Sequence, residues 1–124
     1  MASNGDMPLS RPIVVAFDMI ETIFSLESLR APFIAAGLPR ESLEVWFAHT
    51  LRDAFALEVT EVYQPFREIA ASTLQSLLVR HRAPHTPADV DHLLSRFSEL
   101  EPHPDAAEAF ARLRSAGIRL VGLT

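Results

Sequence analysis

The sequence predicts an α/β fold in which two parallel strands are separated along the chain by a block of helices. The first observation is a short apolar run, Ile13 to Phe17, that ends at Asp18. The second is a similar run, Ile118 to Leu123, close to the other end of the sequence. The third is the helical periodicity of the segment between them. Because a long connection joins the two strands, a parallel crossover is expected.

The first apolar run contains two valines and one isoleucine, and Pro12 precedes it. This composition predicts a strand that is buried on both faces, as in a parallel sheet covered by helices. Residues 1–11 are polar and contain the turn-forming segment Asn4-Gly5-Asp6. They predict a flexible lead-in and lack the apolar core of a signal peptide.

Five helices are predicted from apolar spacing and from capping residues. Ser25 is a possible N-cap of the first helix, and Gly37 follows its end. Thr86 and Pro87 form an N-cap and first helical residue, and Gly117 closes the last helix. The predicted helices cover residues 26–36, 40–59, 65–80, 87–97 and 105–116.

The segment Glu101-Pro102-His103-Pro104 is the clearest internal boundary, since its two prolines discourage continuation of either flanking helix. The helices between residues 26 and 100 are too many for one crossover layer. We therefore predict a helical subdomain at 26–100, inserted into a core that consists of residues 12–25 and 101–124.

Composition excludes several classes of protein. The 124 residues carry a formal net charge of −5 and no cysteine, which excludes disulfides and thiolate chemistry and argues against nucleic-acid binding. No apolar run approaches the roughly 20 residues that cross a bilayer. A cytoplasmic location without membrane association is the expectation.

Asp18 is the first candidate for chemistry, because carboxyl ends of parallel strands are where open α/β sheets place their ligands. A carboxylate there can attack carbon or phosphorus and form an ester. Thr124 ends the second apolar run, and its hydroxyl can bond a substrate anion if the strands are neighbours. Taken singly, Asp18 is more often a turn former, and Glu21 is consistent with a solvated turn residue.

Two segments carry a resemblance to a known family. Val14-Val15-Ala16-Phe17-Asp18-Met19-Ile20-Glu21-Thr22-Ile23-Phe24 resembles the first motif of the haloacid dehalogenase superfamily, and Gly117-Ile118-Arg119-Leu120-Val121-Gly122-Leu123-Thr124 resembles the second. The helical segment between them is similar to the branch with a helical cap, the type II 2-haloacid dehalogenases.

The resemblance implies a Rossmann-like core with a helical cap. It implies that Asp18 is the nucleophile, that Thr22 steadies the nucleophile loop, and that Thr124 binds the anionic group of a small substrate. Met19 and Ile20 are then expected next to the substrate. In the cap, Trp46 and Phe47 are expected to line it; without the resemblance, both are more simply core residues.

Ile20 stands where phosphatases of this superfamily carry a second aspartate as general acid. A phosphate ester with a poor leaving group needs that acid, whereas halide leaves without protonation. The position therefore favours a dehalogenase that needs no metal or other cofactor. The alternative is a magnesium-dependent phosphatase, in which Asp18 would also be a metal ligand.

Other departures concern the rest of the family pattern. Phe47 aligns with an arginine that receives the halide in these dehalogenases. The superfamily also uses a basic residue and acidic residues after the second motif, so the resemblance implies a chain truncated there and inactive alone. An incomplete core predicts self-association or a homodimer, and a non-catalytic interaction module is a third alternative.

The sequence contains five histidines, which are potential metal ligands. None has a Glu or His partner at a recognised ligand spacing, which argues against a metal site. They are His49, His81, His85, His92 and His103.

Overall fold

The computed structural model describes residues 10–123 and shows a mixed α/β fold. Residues 1–9 of the predicted lead-in, and Thr124, lie outside the described residues. Short 3-10 turns at Glu27–Leu29 and Arg96–Glu99 flank the helical part. The regular elements are β1 Val14–Asp18, α1 Arg30–Ala35, α2 Ser42–Val59, α3 Phe66–Arg80, α4 Pro87–Ser95, α5 Ala106–Ser115 and β2 Arg119–Leu123.

The chain separates into two compact units. The strand unit contains the described residues up to Phe24 and from Pro102 onward, and the helical unit is Ser25–Glu101. The assignment of these units as enzyme core and cap stays a prediction.

In the strand unit, β1 and β2 are hydrogen-bonded parallel neighbours, as predicted. Asp18 pairs in register with Leu123. Helix α5 packs on one face of this pair, where the ring of Phe110 meets that of Phe17 edge to face at 5.2 Å. This contact attaches Phe17, the residue that precedes Asp18, to α5.

The prediction that β1 is buried on both faces is wrong for the described residues. Val15 and Phe17 are half-buried, whereas Val14 and Ala16 on the opposite face are exposed. The reason is that the described sheet has two strands with α5 on one face. A continuous apolar run predicts a strand buried on both faces, but among the described residues only one face of β1 is covered.

The first predicted helix begins later than expected. Ser25 Oγ accepts a hydrogen bond from the Glu27 amide at 3.1 Å, and a 3-10 turn precedes α1. Proline has no amide to donate, so it is tolerated in the first turn of a helix but not in the interior. Starting α1 at Arg30 places Pro32 in that first turn. Gly37 then ends the helix with φ 93°, a conformation that glycine adopts without strain.

The predicted start of α4 is confirmed by a capping box. The Thr86 hydroxyl accepts from the Asp89 amide, and the Asp89 carboxylate accepts from the Thr86 amide at 2.6 Å. Pro87 occupies the first helical position, as predicted. The hydrogen bonds that the Thr86 amide and hydroxyl donate to the Asp89 carboxylate lower the pKa of Asp89. The helix ends at Ser95, short of the predicted residue 97, because the chain tightens into the 3-10 turn.

The core of the helical unit lies among α1, α2, α3 and α4. Trp46 is fully buried there, and Thr50 and Thr73 share a buried hydroxyl–hydroxyl hydrogen bond of 2.7 Å. Within its own helix, the Thr50 hydroxyl also lies 2.9 Å from the Trp46 carbonyl oxygen, and the Thr73 hydroxyl lies 3.1 Å from the Ile69 carbonyl oxygen. The apolar residues and the threonine that recur at helical spacing along α3 are buried, except for Phe66. The buried members are Ile69, Ala70, Thr73, Leu74, Leu77 and Leu78.

Among residues 10–123, no helix is both long enough and apolar enough to span a membrane.

Candidate active site

Asp18 is the last residue of β1 and its side chain is exposed. The hydroxyl of Thr22 donates a hydrogen bond to Asp18 Oδ2 at 3.0 Å. This bond holds one carboxylate oxygen and fixes the rotation of the group. The sequence analysis expects Thr22 to steady the loop of Asp18, and the structure joins the two side chains by this hydrogen bond. The catalytic roles of both residues stay predictions.

The turn after β1 is closed by main-chain hydrogen bonds. The Met19 carbonyl accepts from the amides of Ile23 and Phe24, both at 2.9 Å, and the Glu21 amide donates to the Phe24 carbonyl at 2.7 Å. Glu21 has φ 65°, the left-handed region that a residue other than glycine adopts at a cost. The turn thus keeps Thr22 close to Asp18 at the expense of local strain.

Met19 packs on the neighbouring strand. A Cβ atom added at Gly122 would lie 2.9 Å from Met19 Sδ, closer than side chains tolerate. Gly122 is therefore the residue that makes room for Met19 beside the carboxyl end of β1. Ile20 is half-buried and forms a main-chain bridge with Phe24. Substrate contact by Met19 and Ile20 stays a prediction.

Thr124 was predicted to bind a substrate anion and lies outside the described residues. That prediction requires the two strands to be neighbours. β1 and β2 are neighbours, and Leu123, the residue before Thr124, pairs in register with Asp18.

Trp46 has no exposed side-chain surface with which to contact a substrate. Its side chain is 0% exposed, and the indole N–H donates to the Ala70 carbonyl at 2.9 Å. The rings of Phe33, Phe47 and Phe97 surround it at centroid distances of 5.2, 6.5 and 5.6 Å. We therefore correct the predicted role of Trp46 from substrate contact to core residue. Phe47 is half-buried, and its predicted role is untested.

Arg30 forms the main charge cluster of the helical unit, which the sequence analysis did not find. Its guanidinium binds the Glu27 carboxylate at 2.8 Å, the Glu44 carboxylate, and the Arg40 carbonyl. The Arg30 side chain is only 13% exposed. With three partners, this arginine is committed to joining the start of α1 to α2.

Hydrogen bonding to Arg30 lowers the pKa of Glu27 and holds the pKa of Glu44 at about 2. A carboxylate with a lowered pKa stabilises the fold above its unfolded pKa and loses this contribution as pH falls. We expect Glu44 to contribute fully above its ordinary value of 4.5 and to lose its contribution as pH approaches about 2.

In E44Q, the melting temperature should lie a little below that of the unmodified protein at neutral pH, and the two should converge in acid. The effect is small because Glu44 is largely exposed. The control is E58Q on the same helix, since Glu58 has no recorded ion pair within residues 10–123. A constant difference between E44Q and the unmodified protein across this pH range would contradict the assignment.

The described residues contain no group of three His, Asp or Glu side chains arranged to hold a metal ion. Asp18 as a magnesium ligand, which belongs to the phosphatase alternative, stays a prediction.

His103 is a residue near the nucleophile that sequence reasoning did not place. Its ring Nε2 lies 3.0 Å from the Glu21 carbonyl oxygen, and its own amide donates to the Ile23 carbonyl at 2.8 Å. Its position between two prolines indicates a boundary between helices and does not indicate a contact with the turn after β1.

Comparison with known proteins gives a match at the level of structure. No protein-family model and no curated protein matches the chain by sequence. Solved structures do match. A chain of an L-2-haloacid dehalogenase superposes with a TM-score of 0.83 at 22% identity, covering 92% of this chain. A second structure, of a dehalogenase, gives a TM-score of 0.80 at 23% identity and covers 93%.

The L-2-haloacid dehalogenase from Xanthobacter autotrophicus gives a TM-score of 0.81 at 22% identity over 91% of this chain. The present chain spans only about half of these proteins, covering 53%, 52% and 46% of their lengths. At these identities the likeness concerns the fold. The chain has the α/β fold of about half of an L-2-haloacid dehalogenase.

Proposed function

We propose that this chain carries the nucleophile of a haloacid dehalogenase-like hydrolase that acts on a small anionic substrate of the 2-haloacid type. One observation carries the proposal: an exposed Asp18 at the carboxyl end of a parallel strand, oriented by the hydroxyl of Thr22. The fold in which this pair occurs is similar to that of L-2-haloacid dehalogenases.

The hydrogen bond from Thr22 occupies Asp18 Oδ2 and leaves Oδ1 available for attack. Thr22 is the only recorded donor to Asp18 among residues 10–123, and it contacts Oδ2. Asp18 Oδ1 would attack the carbon that carries the halogen. The carbon–halogen bond breaks, halide takes the bonding electron pair, and an ester joins Asp18 to the substrate. Water then attacks the ester carbonyl carbon, which frees a hydroxy acid and restores Asp18.

Ile20 supports dehalogenation over phosphate-ester hydrolysis. An alkoxide leaving group must be protonated, and an isoleucine side chain cannot supply a proton. Halide leaves without protonation, so Ile20 is compatible with dehalogenation. We accordingly propose a reaction without a cofactor, in a cytoplasmic protein that does not act on nucleic acid.

The substrate class also has support from a similar structure. The Xanthobacter autotrophicus enzyme has been solved with chloropropionic acid covalently bound. For the present chain, Phe47 offers no charge to a carboxylate or halide. We propose that the substrate anion is bound by Thr124 and by main-chain amides beyond the strand ends.

The test uses the longest protein that the reading frame of this chain encodes. Halide release from 2-chloropropionate without added metal is the expected activity. The comparison assay measures phosphate release from a generic phosphomonoester in the presence of Mg²⁺. Phosphate release with no halide release would overturn the proposal in favour of the magnesium-dependent phosphatase.

A non-catalytic interaction module is the second candidate, and the open face of the sheet favours it. Val14, Val121 and Leu123 are 39%, 36% and 56% exposed, which is unusual for apolar strand residues in a sheet with helices. Such a module would form concentration-dependent oligomers in sedimentation and turn over neither substrate. An active, monodisperse monomer would exclude it.

A further inference from the structure

We propose that His103 is a positioning residue for the nucleophile: through the Glu21 carbonyl, its imidazole fixes the peptide that carries Thr22 and thereby orients Asp18. This inference rests on the proposed function, since it concerns the same carboxylate. It adds a residue from the far end of the sequence to the site.

The segment that contains His103 runs beside the turn of the nucleophile. Phe24 and Pro102 form an antiparallel bridge, and the His103 amide donates to the Ile23 carbonyl at 2.8 Å. These main-chain contacts hold the segment in place without help from the ring. The ring therefore has a separate task, and its Nε2 lies 3.0 Å from the Glu21 carbonyl oxygen.

The chemistry of this contact assigns its proton. A carbonyl oxygen only accepts, so Nε2 must carry the hydrogen. The His103 side chain is half-buried. The imidazole thus donates to a main-chain group of the turn and does not act as a base there.

The accepting carbonyl lies at the strained point of the turn. Glu21 has φ 65°, and the imidazole adds a restraint on the peptide that follows this residue to those of the main-chain hydrogen bonds in the turn. That peptide joins the Glu21 carbonyl to the nitrogen of Thr22. A rotation of its plane would move the Thr22 side chain away from Asp18 Oδ2, which it reaches at 3.0 Å.

The contact therefore links three groups in series: imidazole, peptide plane and nucleophile. His103 touches neither Asp18 nor, in the proposed reaction, the substrate. Its loss should act on the rate of chemistry more than on substrate binding, because the carboxylate would be present but less often aligned.

The experiment compares H103F, which removes the donor, with H103Q, whose amide nitrogen can reach the position of Nε2. We expect kcat for halide release to fall roughly threefold to tenfold in H103F with KM little changed, the size expected for one hydrogen bond. H103Q should recover most of kcat. The control is H81F, an exposed histidine of the helical unit. Equal kcat values in H103F and the unmodified protein, or equal losses in H103F and H103Q, would overturn the proposal.

A double substitution tests the route through Glu21. Glycine adopts positive φ without strain, so E21G should reduce the dependence of the turn on the imidazole. We expect H103F to lower kcat less in the E21G background than in the unmodified protein. Equal effects in both backgrounds would show that the ring does not act through this carbonyl.

A nitrogen NMR spectrum of the His103 ring separates failure of this inference from failure of the proposed function. The expected signature is a ring that carries a proton on Nε2, which needs no turnover to observe. That signature in a protein without halide release would leave the contact standing and contradict the proposed function. Halide release that depends on Asp18, together with a ring protonated only at Nδ1, would overturn the inference alone.

Discussion

Replacing Asp18 with asparagine is expected to lower halide release by at least about a thousandfold, because the amide is a poor nucleophile and cannot form the ester. The fold should be unaffected, since Asp18 is exposed and an asparagine oxygen can still accept from Thr22. Initial rates of chloride release from 2-chloropropionate measure the loss. The circular dichroism melt of D18N should match that of the unmodified protein.

The matched control for D18N is D105N, another exposed aspartate of the strand unit. D105N should retain activity within a factor of about two, because Asp105 makes no side-chain cap to α5. Halide release by D18N at a rate near that of D105N would remove Asp18 from the role of nucleophile.

Replacing Trp46 with alanine should give the largest loss of stability, about 3–5 kcal/mol in the free energy of unfolding. The side chain is fully buried, contacts three aromatic rings, and donates to the Ala70 carbonyl. Truncation would leave a cavity and an unsatisfied carbonyl in the same place. Equilibrium unfolding in urea measures the change.

W46F provides a graded comparison in case W46A does not fold. It keeps most of the ring packing but loses the indole donor, so a loss of about 1–3 kcal/mol is expected. F55A is the control on the same helix, because Phe55 is 67% exposed, and its effect should stay within about 0.5 kcal/mol. A W46A protein as stable as F55A would contradict a core role and reopen the prediction of a substrate contact.

The sequence predicted those parts of the fold that depend on local signals. Periodicity placed α3 within one residue of its observed start and at its observed end, Arg80. The threonine–proline pair before α4 predicted a cap because its chemistry is complete within four residues. Two apolar runs with a long helical connection predicted the parallel pairing of β1 and β2.

Features that depend on distant residues were not predicted. An apolar run does not show how many of its faces are covered, so the exposure of Val14 and Ala16 came only from the structure. The start of α1 depends on where the chain accommodates Pro32. Trp46 was assigned by resemblance to the substrate, whereas packing against rings from three segments places it in the core.

The candidate site shows the same division. Asp18 and Thr22 are four residues apart, so a local motif was sufficient to indicate both residues, which the structure joins by a hydrogen bond. His103 reaches Glu21 across 82 positions of sequence, and nothing in the spacing indicates that contact. The left-handed backbone of Glu21 is likewise a property of the closed turn, since glutamate has no preference for it.

The most direct test of the central claim is one turnover of a 2-haloacid in water enriched in oxygen-18, with excess enzyme. If Asp18 forms an ester that water cleaves at its carbonyl carbon, the hydroxy acid keeps an oxygen from Asp18 and the enzyme gains the label. Mass spectrometry of the peptide that contains Asp18 should then show one heavy oxygen on that residue. Label found only in the hydroxy acid, with Asp18 unlabelled, would mean that water attacks the substrate directly and that Asp18 is not the nucleophile.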